Sequence, residues 1–123
     1  MEPLYIKGTH DTPEIVLDQE KGVFCISGKS YPDDPFSVYQ PVFDWIEDYA
    51  KNPNPSTMLE LKLAYVNTAS SKQVSDILVM FKNMSDKTNL SVKWFFDRMD
   101  EDMEFEGEAL QQSLKMDIEL IGT

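Results

Sequence analysis

The chain changes its hydrophobic period several times, and each change marks an element. Leu59, Leu61, Leu63 and Tyr65 alternate with Met58, Ala64 and Val66, a period of two that predicts an extended segment over about Thr57–Val66. After Ser71, Val74, Ile77, Leu78, Phe81 and Met84 recur at the spacing of an amphipathic helix, so this strand-helix unit runs to about Lys87. Phe36, Tyr39, Phe43, Ile46 and Ala50 show the same helical spacing. Pro41 falls inside that pattern and predicts either a kink or the helix's true start, because it has no amide to donate. Asn52-Pro53-Asn54-Pro55 ends the helix. Upstream, Leu4–Lys7, Glu14–Asp18 and Val23–Gly28 read as short strands, with Gly22 free to take positive φ in the turn between the last two. The stretch from Ser30 to Phe36 holds two prolines and reads as a loop in which Asp34 caps the following helix.

Leu90–Phe96 is a further strand, rich in Val, Trp and Phe. Asp100 to about Ser113 is a third helix with an acidic first turn, and Met116–Ile121 is a closing strand. The order β-β-β-α-β-α-β-α-β predicts one α/β domain over residues 1–123. Its sheet is mixed, with N-terminal antiparallel strands and a parallel βαβαβ part joined by right-handed crossovers. The strand over Thr57–Tyr65 is expected at the centre, between parallel neighbours and buried on both faces, although Glu60 and Lys62 interrupt its second face.

Composition narrows the function classes. The 123 residues carry 22 acidic and 11 basic side chains, a net charge of −11, which repels nucleic acid and anionic lipid and either favours a partner with a basic face or serves solubility alone. No apolar run approaches the roughly 18 residues of a membrane span, and the N-terminus lacks the pattern of a signal peptide. A single cysteine, Cys25, excludes an internal disulfide and fits a reducing compartment, so the expected location is the cytoplasm.

Candidate chemistry is sparse. His10 is the only histidine and reads as a surface residue, while Cys25 alternates within a strand and reads as a core residue. The phosphate-cradling and nucleophile-elbow motifs are absent, and no cofactor is expected. Asp97, Asp100, Glu101, Asp102, Glu104, Glu106 and Glu108 form an acidic run, most simply a solvated helix start. The alternative reading is a small metal-assisted enzyme using Asp97, Asp100 and Asp102, against which stands the lack of a base or nucleophile partner. The other feature is the turn Asn67-Thr68-Ala69-Ser70-Ser71, which places four polar capping candidates between a strand and a helix. One or two would satisfy the free amides. The turn also lies at the carboxyl end of a strand, where α/β sheets carry their function, and the amides of the next helix suit a phosphate placed on a hydroxyl there.

Tyr65-Val66-Asn67-Thr68-Ala69-Ser70-Ser71-Lys72 resembles the Y-x-N-T-S-S-x-K segment of the SiaC family of bacterial regulatory phosphoproteins. Gly8-Thr9 with Thr12-Pro13-Glu14-Ile15 is similar to that family's G-T-x-x-T-P-x-I. Gly28-Lys29-Ser30-Tyr31-Pro32-Asp33 is similar to G-x-S-Y-P-E, Asp44-Trp45-Ile46-Glu47 to D-W-[VI]-E, and Lys93-Trp94-Phe95-Phe96-Asp97-Arg98 to R-W-x-Y-D-R. The matches keep one order over nearly the whole chain, with departures at Ala69 and Pro41. The resemblance implies a STAS-like fold related to anti-sigma-factor antagonists. It also implies a non-enzymatic switch in which a kinase phosphorylates Thr68 and a PP2C-like phosphatase reverses this. The unphosphorylated form is then expected to bind a signalling partner, a diguanylate cyclase in cyclic di-GMP and biofilm signalling. Asn67, Ser70, Ser71, Lys72, Ser75, Asp97 and Arg98 are the expected partner-binding residues around Thr68. A constitutive scaffold, with Thr68 only a cap, is the remaining alternative.

Overall fold

Six strands lie in the sheet in the same order as in the chain, β1-β2-β3-β4-β5-β6, and this ordering decides the architecture. The computed structural model describes residues 1–123. The strands are β1 (Leu4–Ile6), β2 (Glu14–Asp18), β3 (Val23–Ser30), β4 (Ser56–Val66), β5 (Asn89–Phe96) and β6 (Glu119–Gly122). The helices are α1 (Pro35–Tyr49), α2 (Thr68–Asn83) and α3 (Glu101–Leu114). β1, β2 and β3 pair antiparallel, whereas β3–β4, β4–β5 and β5–β6 are parallel. Each parallel step moves one place in the same direction, so right-handed crossovers put all three helices on one face. The mixed sheet with an antiparallel N-terminal edge is as expected from the sequence.

The result is a two-layer structure with one open sheet face. In β4, Thr57, Leu59, Leu61 and Leu63 are buried beneath the helices, while Met58, Lys62 and Ala64 are exposed. β4 is central and flanked by parallel neighbours, as expected, but it is not buried on both faces. Three crossovers of one hand leave no helix for the second face. That face is solvated by opposite charges in register across the strands, Glu60 beside Lys93 and Lys93 beside Glu119. Cys25 lies next to Glu60 in the same row. It is therefore a half-exposed residue of the open face rather than a core residue.

A register shift between Gly28 and Lys29 pairs Gly28 with Leu63 and Lys29 with Tyr65, passing over Ala64. An extra residue in one strand inverts the alternation beyond it. Tyr65 consequently emerges 50% exposed, and Val66 packs against the core in its place. The periodicity alone assigns these two side chains the other way round.

Other boundaries move for local reasons. β3 continues through Ser30, two residues past its expected end, because Lys29 and Ser30 still pair with Tyr65 and Val66. β6 begins at Glu119 rather than Met116, since Lys115 takes a left-handed conformation (φ 50°) that ends α3, and the chain must recover before pairing. α1 starts at Pro35 behind an Asp34 cap whose carboxylate accepts from the Ser37 amide. Pro41 is inside the helix rather than at its start. Pro41 and Ser37 are both exposed, so the carbonyl left without a helical donor faces water. The two Ser37 hydrogen bonds hold the Asp34 carboxyl below its usual range.

α3 sits close against the sheet because it carries Gly107. A Cβ there would stand 2.6 Å from Trp94 Cδ1 and 2.8 Å from Leu120 Cδ2. Replacing glycine by alanine inside a helix ordinarily gains about 1 kcal/mol. Overpacking against a ring costs about 1–3 kcal/mol, so the contact wins. Gly107→Ala should therefore lower stability in urea unfolding. A variant at least as stable as the parent would place α3 farther from Trp94 than described.

Candidate functional site

Four polar residues are fully or almost fully buried, Ser30, Thr57, Ser70 and Thr88, and all four belong to two hydroxyl networks anchored by tyrosines of α1. Buried hydroxyls without partners cost free energy, and none is left unsatisfied. At the amino-terminal end of β4, Tyr49 Oη bonds Thr57 Oγ1 (2.7 Å), which bonds Thr88 Oγ1 (2.8 Å). At the carboxyl-terminal end, Tyr39 Oη bonds Ser30 Oγ (2.7 Å), and Ser30 Oγ donates to Ser70 Oγ (2.8 Å).

The second network fixes the turn singled out by the sequence. Ser30 also accepts, through its carbonyl, the Asn67 amide at 3.0 Å. Asn67 is the N-cap of α2, its Oδ1 accepting from the Ser70 amide at 2.8 Å, and its carbonyl accepts from the Ser71 amide. Ser71 donates its hydroxyl to the Glu106 carboxylate, which ties the first turn of α2 to α3. The hydroxyls of Ser70 and Ser71 are thus engaged, and Asn67 is engaged through both backbone and side chain. Thr68, the first residue of α2, is exposed, as is Ala69 after it. The turn holds one free, exposed hydroxyl on a tethered frame.

The expected site residues divide accordingly. Asn67, Thr68, Ser70 and Ser71 lie together at the start of α2, but Ser70 is fully buried and positions the turn instead of offering a contact. It falls one residue from the exposed pair, on the helix face turned to the core. Lys72 is exposed and forms an ion pair with Asp76 (3.0 Å) along the helix, and Ser75 is half-buried. Asp97 lines a groove with Leu63 and Ala64 of β4, so the parallel pairing does bring the end of β5 beside the end of β4. Arg98 turns the other way: its amide donates to the Thr123 carbonyl, and its side chain lies over Gly122 of β6. The residues that sequence reasoning missed are Tyr39, Glu106 and the aromatic pair Tyr31–Tyr65, whose ring centroids are 5.8 Å apart. Ser30, inside a matched motif, was a signal for the first of these.

The acidic run does not assemble a metal centre. The Asp97 carboxylate accepts from the Met99 amide (2.8 Å), and Asp100 caps α3 by accepting from the Met103 amide (3.1 Å). No three His, Cys, Asp or Glu side chains converge to hold an ion. Burial pushes the Cys25 thiol up, with Lys62 partly opposing this, so the neutral thiol is the favoured form near neutral pH. No helix is long and apolar enough to cross a membrane.

The network makes two testable statements. Tyr39→Phe leaves Ser30 bonded to Ser70 and should cost about 1 kcal/mol, whereas Ser30→Ala strands both neighbours and should cost about 1–3 kcal/mol. Chemical denaturation of both variants checks the order, and equal or reversed costs would contradict it. Burial also raises the Tyr39 phenol above its usual value, with the Ser30 hydrogen bond opposing this. Its contribution is then fully present below the ordinary phenol pKa of about 10 and is lost as pH rises through the higher folded value. Between about pH 10 and that higher value, stability should fall more steeply in the parent than in Tyr39→Phe.

Comparison with known proteins places this geometry. The profile of the family described as "SiaC family regulatory phosphoprotein" matches residues 6–123. An uncharacterized protein of Pseudomonas aeruginosa (strain UCBPP-PA14) is 33% identical over 102 residues, covering 82% of this chain and 81% of its own. The crystal structure of apo-SiaC from Pseudomonas aeruginosa superposes with a TM-score of 0.89 at 27% identity, over 99% of this chain and 100% of that one. A chain in the crystal structure of the diguanylate cyclase SiaD in complex with its activator SiaC, from the same organism, superposes with a TM-score of 0.88 at 28% identity, over 98% and 99% of the two chains. Fold, motif order and full-length coverage agree: the chain belongs to the SiaC family of regulatory phosphoproteins.

Proposed function

We propose that this protein is a non-enzymatic, cytoplasmic switch whose state is set by reversible phosphorylation of Thr68. In its unphosphorylated form it binds and activates a diguanylate cyclase, as SiaC is the activator of SiaD in the solved complex. A protein kinase adds the phosphate and a PP2C-like phosphatase removes it. The observation that carries the reading is the exposed Thr68 hydroxyl on a turn whose other polar groups are bonded internally.

The physics of the switch is short-ranged. A phosphate adds about −1.5 to −2 charges at one point, and salt screens exposed charges beyond about 8 Å. The partner surface therefore includes Thr68 and its exposed neighbours, Ala69 and Lys72, with Asn67, Ser71 and Ser75 at its edge. The turn is tied to the end of β3, because Ser30 bonds both Asn67 and Ser70, and Asn67 caps the helix that follows. A packed partner must then accommodate the phosphate or leave. Glu106, bonded to Ser71, puts a further negative charge beside the turn, so a phosphate adds to repulsion between α3 and the turn.

Titration of a cognate diguanylate cyclase with three forms of the protein tests this. Unmodified protein and Thr68→Ala should bind with affinities within about threefold, because one exposed hydroxyl contributes less than 1 kcal/mol. The phosphorylated form should bind at least tenfold more weakly. Equal affinity for all three forms would leave a constitutive scaffold as the account of the fold.

A further inference from the structure

An open groove of about 680 Å³ lies where the carboxyl ends of β4 and β5 meet the start of α3. Its apolar surface comes from Leu63, Ala64, Phe95, Phe96, Met99 and Met103. Its rim carries Asp97, Glu101 and Asp102, all exposed, with Asp100 between them. The one cation, Lys62, sits 5.1 Å over the Phe95 ring. Met99 is 90% exposed, more than any other large apolar side chain in the protein, and Phe105 on α3 is 68% exposed. Met99 is not on a loose loop. The Asp97 carboxylate binds its amide at 2.8 Å, and the Asp100 amide closes the turn onto the Asp97 carbonyl at 2.8 Å. An apolar side chain held out to water by a bonded turn, above an apolar floor, is the arrangement of a binding surface.

We infer that this groove docks a segment of a protein partner that inserts a Leu- or Met-sized side chain between Met99 and Ala64 and flanks it with Lys or Arg. The choice of occupant follows from charge. Three exposed carboxylates around an apolar floor repel phosphate, nucleic acid and acidic peptides, and no carboxylate trio converges on a metal ion. A basic, amphipathic segment matches both the floor and the rim. The site goes beyond the Thr68 turn, because it involves different residues. Glu106 lies one helical turn past Met103 and bonds Ser71, so the groove and the turn share α3 and a single partner can span them.

Two 16-residue peptides test the groove by amide chemical-shift titration of the full chain. One carries Leu at helical spacing with Arg on either side, and the other replaces each Leu by Ser at equal charge. The Leu-containing peptide should shift Ala64 and the amides from Phe96 to Met103, with at least tenfold higher affinity than its control. Ala64→Arg should weaken it at least tenfold, and Met99→Asp, at an exposed position that cannot upset the core, should do the same. Equal shifts by both peptides, shifts centred on the Tyr31–Tyr65 pair, or unchanged affinity in both variants would overturn the assignment. So would groove shifts that appear on concentrating the protein alone, which would give the surface to a second copy. Thr68 is untouched throughout, so a negative result here is distinct from a bare Thr68 in cells.

Discussion

Ser30 makes three hydrogen bonds on which the geometry of the turn before α2 depends. Its carbonyl accepts the Asn67 amide, and its hydroxyl links Tyr39 to Ser70. Through them the last residue of β3 holds the crossover from β4 to α2, forty positions further along the chain. Ser30 keeps the inward alternation of Phe24 and Ile26, while the register shift beside Gly28 turns Val66 inward next to it and leaves Tyr65 outside. Without that shift, the large Tyr65 ring would face the start of α2 in place of Val66.

The two-layer build explains the division of labour across the molecule. The helices and the inner face of the sheet together hold the buried apolar side chains, and the opposite face relies on alternating Glu60, Lys93 and Glu119 to remain solvated. Polar groups enter the core only as the two tyrosine-anchored networks, one at each end of the strands. The network at the amino-terminal end ties α1 to the starts of β4 and β5, and the one at the carboxyl-terminal end holds the turn that carries Thr68. Both groove and turn lie at that second end, where the strands stop and the helices begin.

Much of this was legible in the sequence. Periodicity, residue preference and turn signals together identified every strand and helix, and the strand-helix alternation predicted the parallel half of the sheet. Motif order identified the family, and the turn was singled out by an excess of capping residues. Three features were not legible. Burial of β4 on one face depends on the hand of all three crossovers together, which no single strand records. The exchange of Tyr65 and Val66 depends on a register shift in pairing with β3, visible only once the two strands lie side by side. The burial of Ser70 depends on Tyr39 and Ser30, thirty-one and forty residues away, so its place among exposed neighbours hid a structural role.

The account's central claim is that Thr68 is the one hydroxyl of this turn free to be modified without disturbing the frame. Peptide mapping of protein isolated from its native cells measures this directly. Phosphate should be found on Thr68, with Ser70, Ser71 and Ser75 unmodified. Phosphate on Ser70 with Thr68 bare would contradict the claim, because Ser70 can be reached only by breaking its bond to Ser30 and opening the first turn of α2.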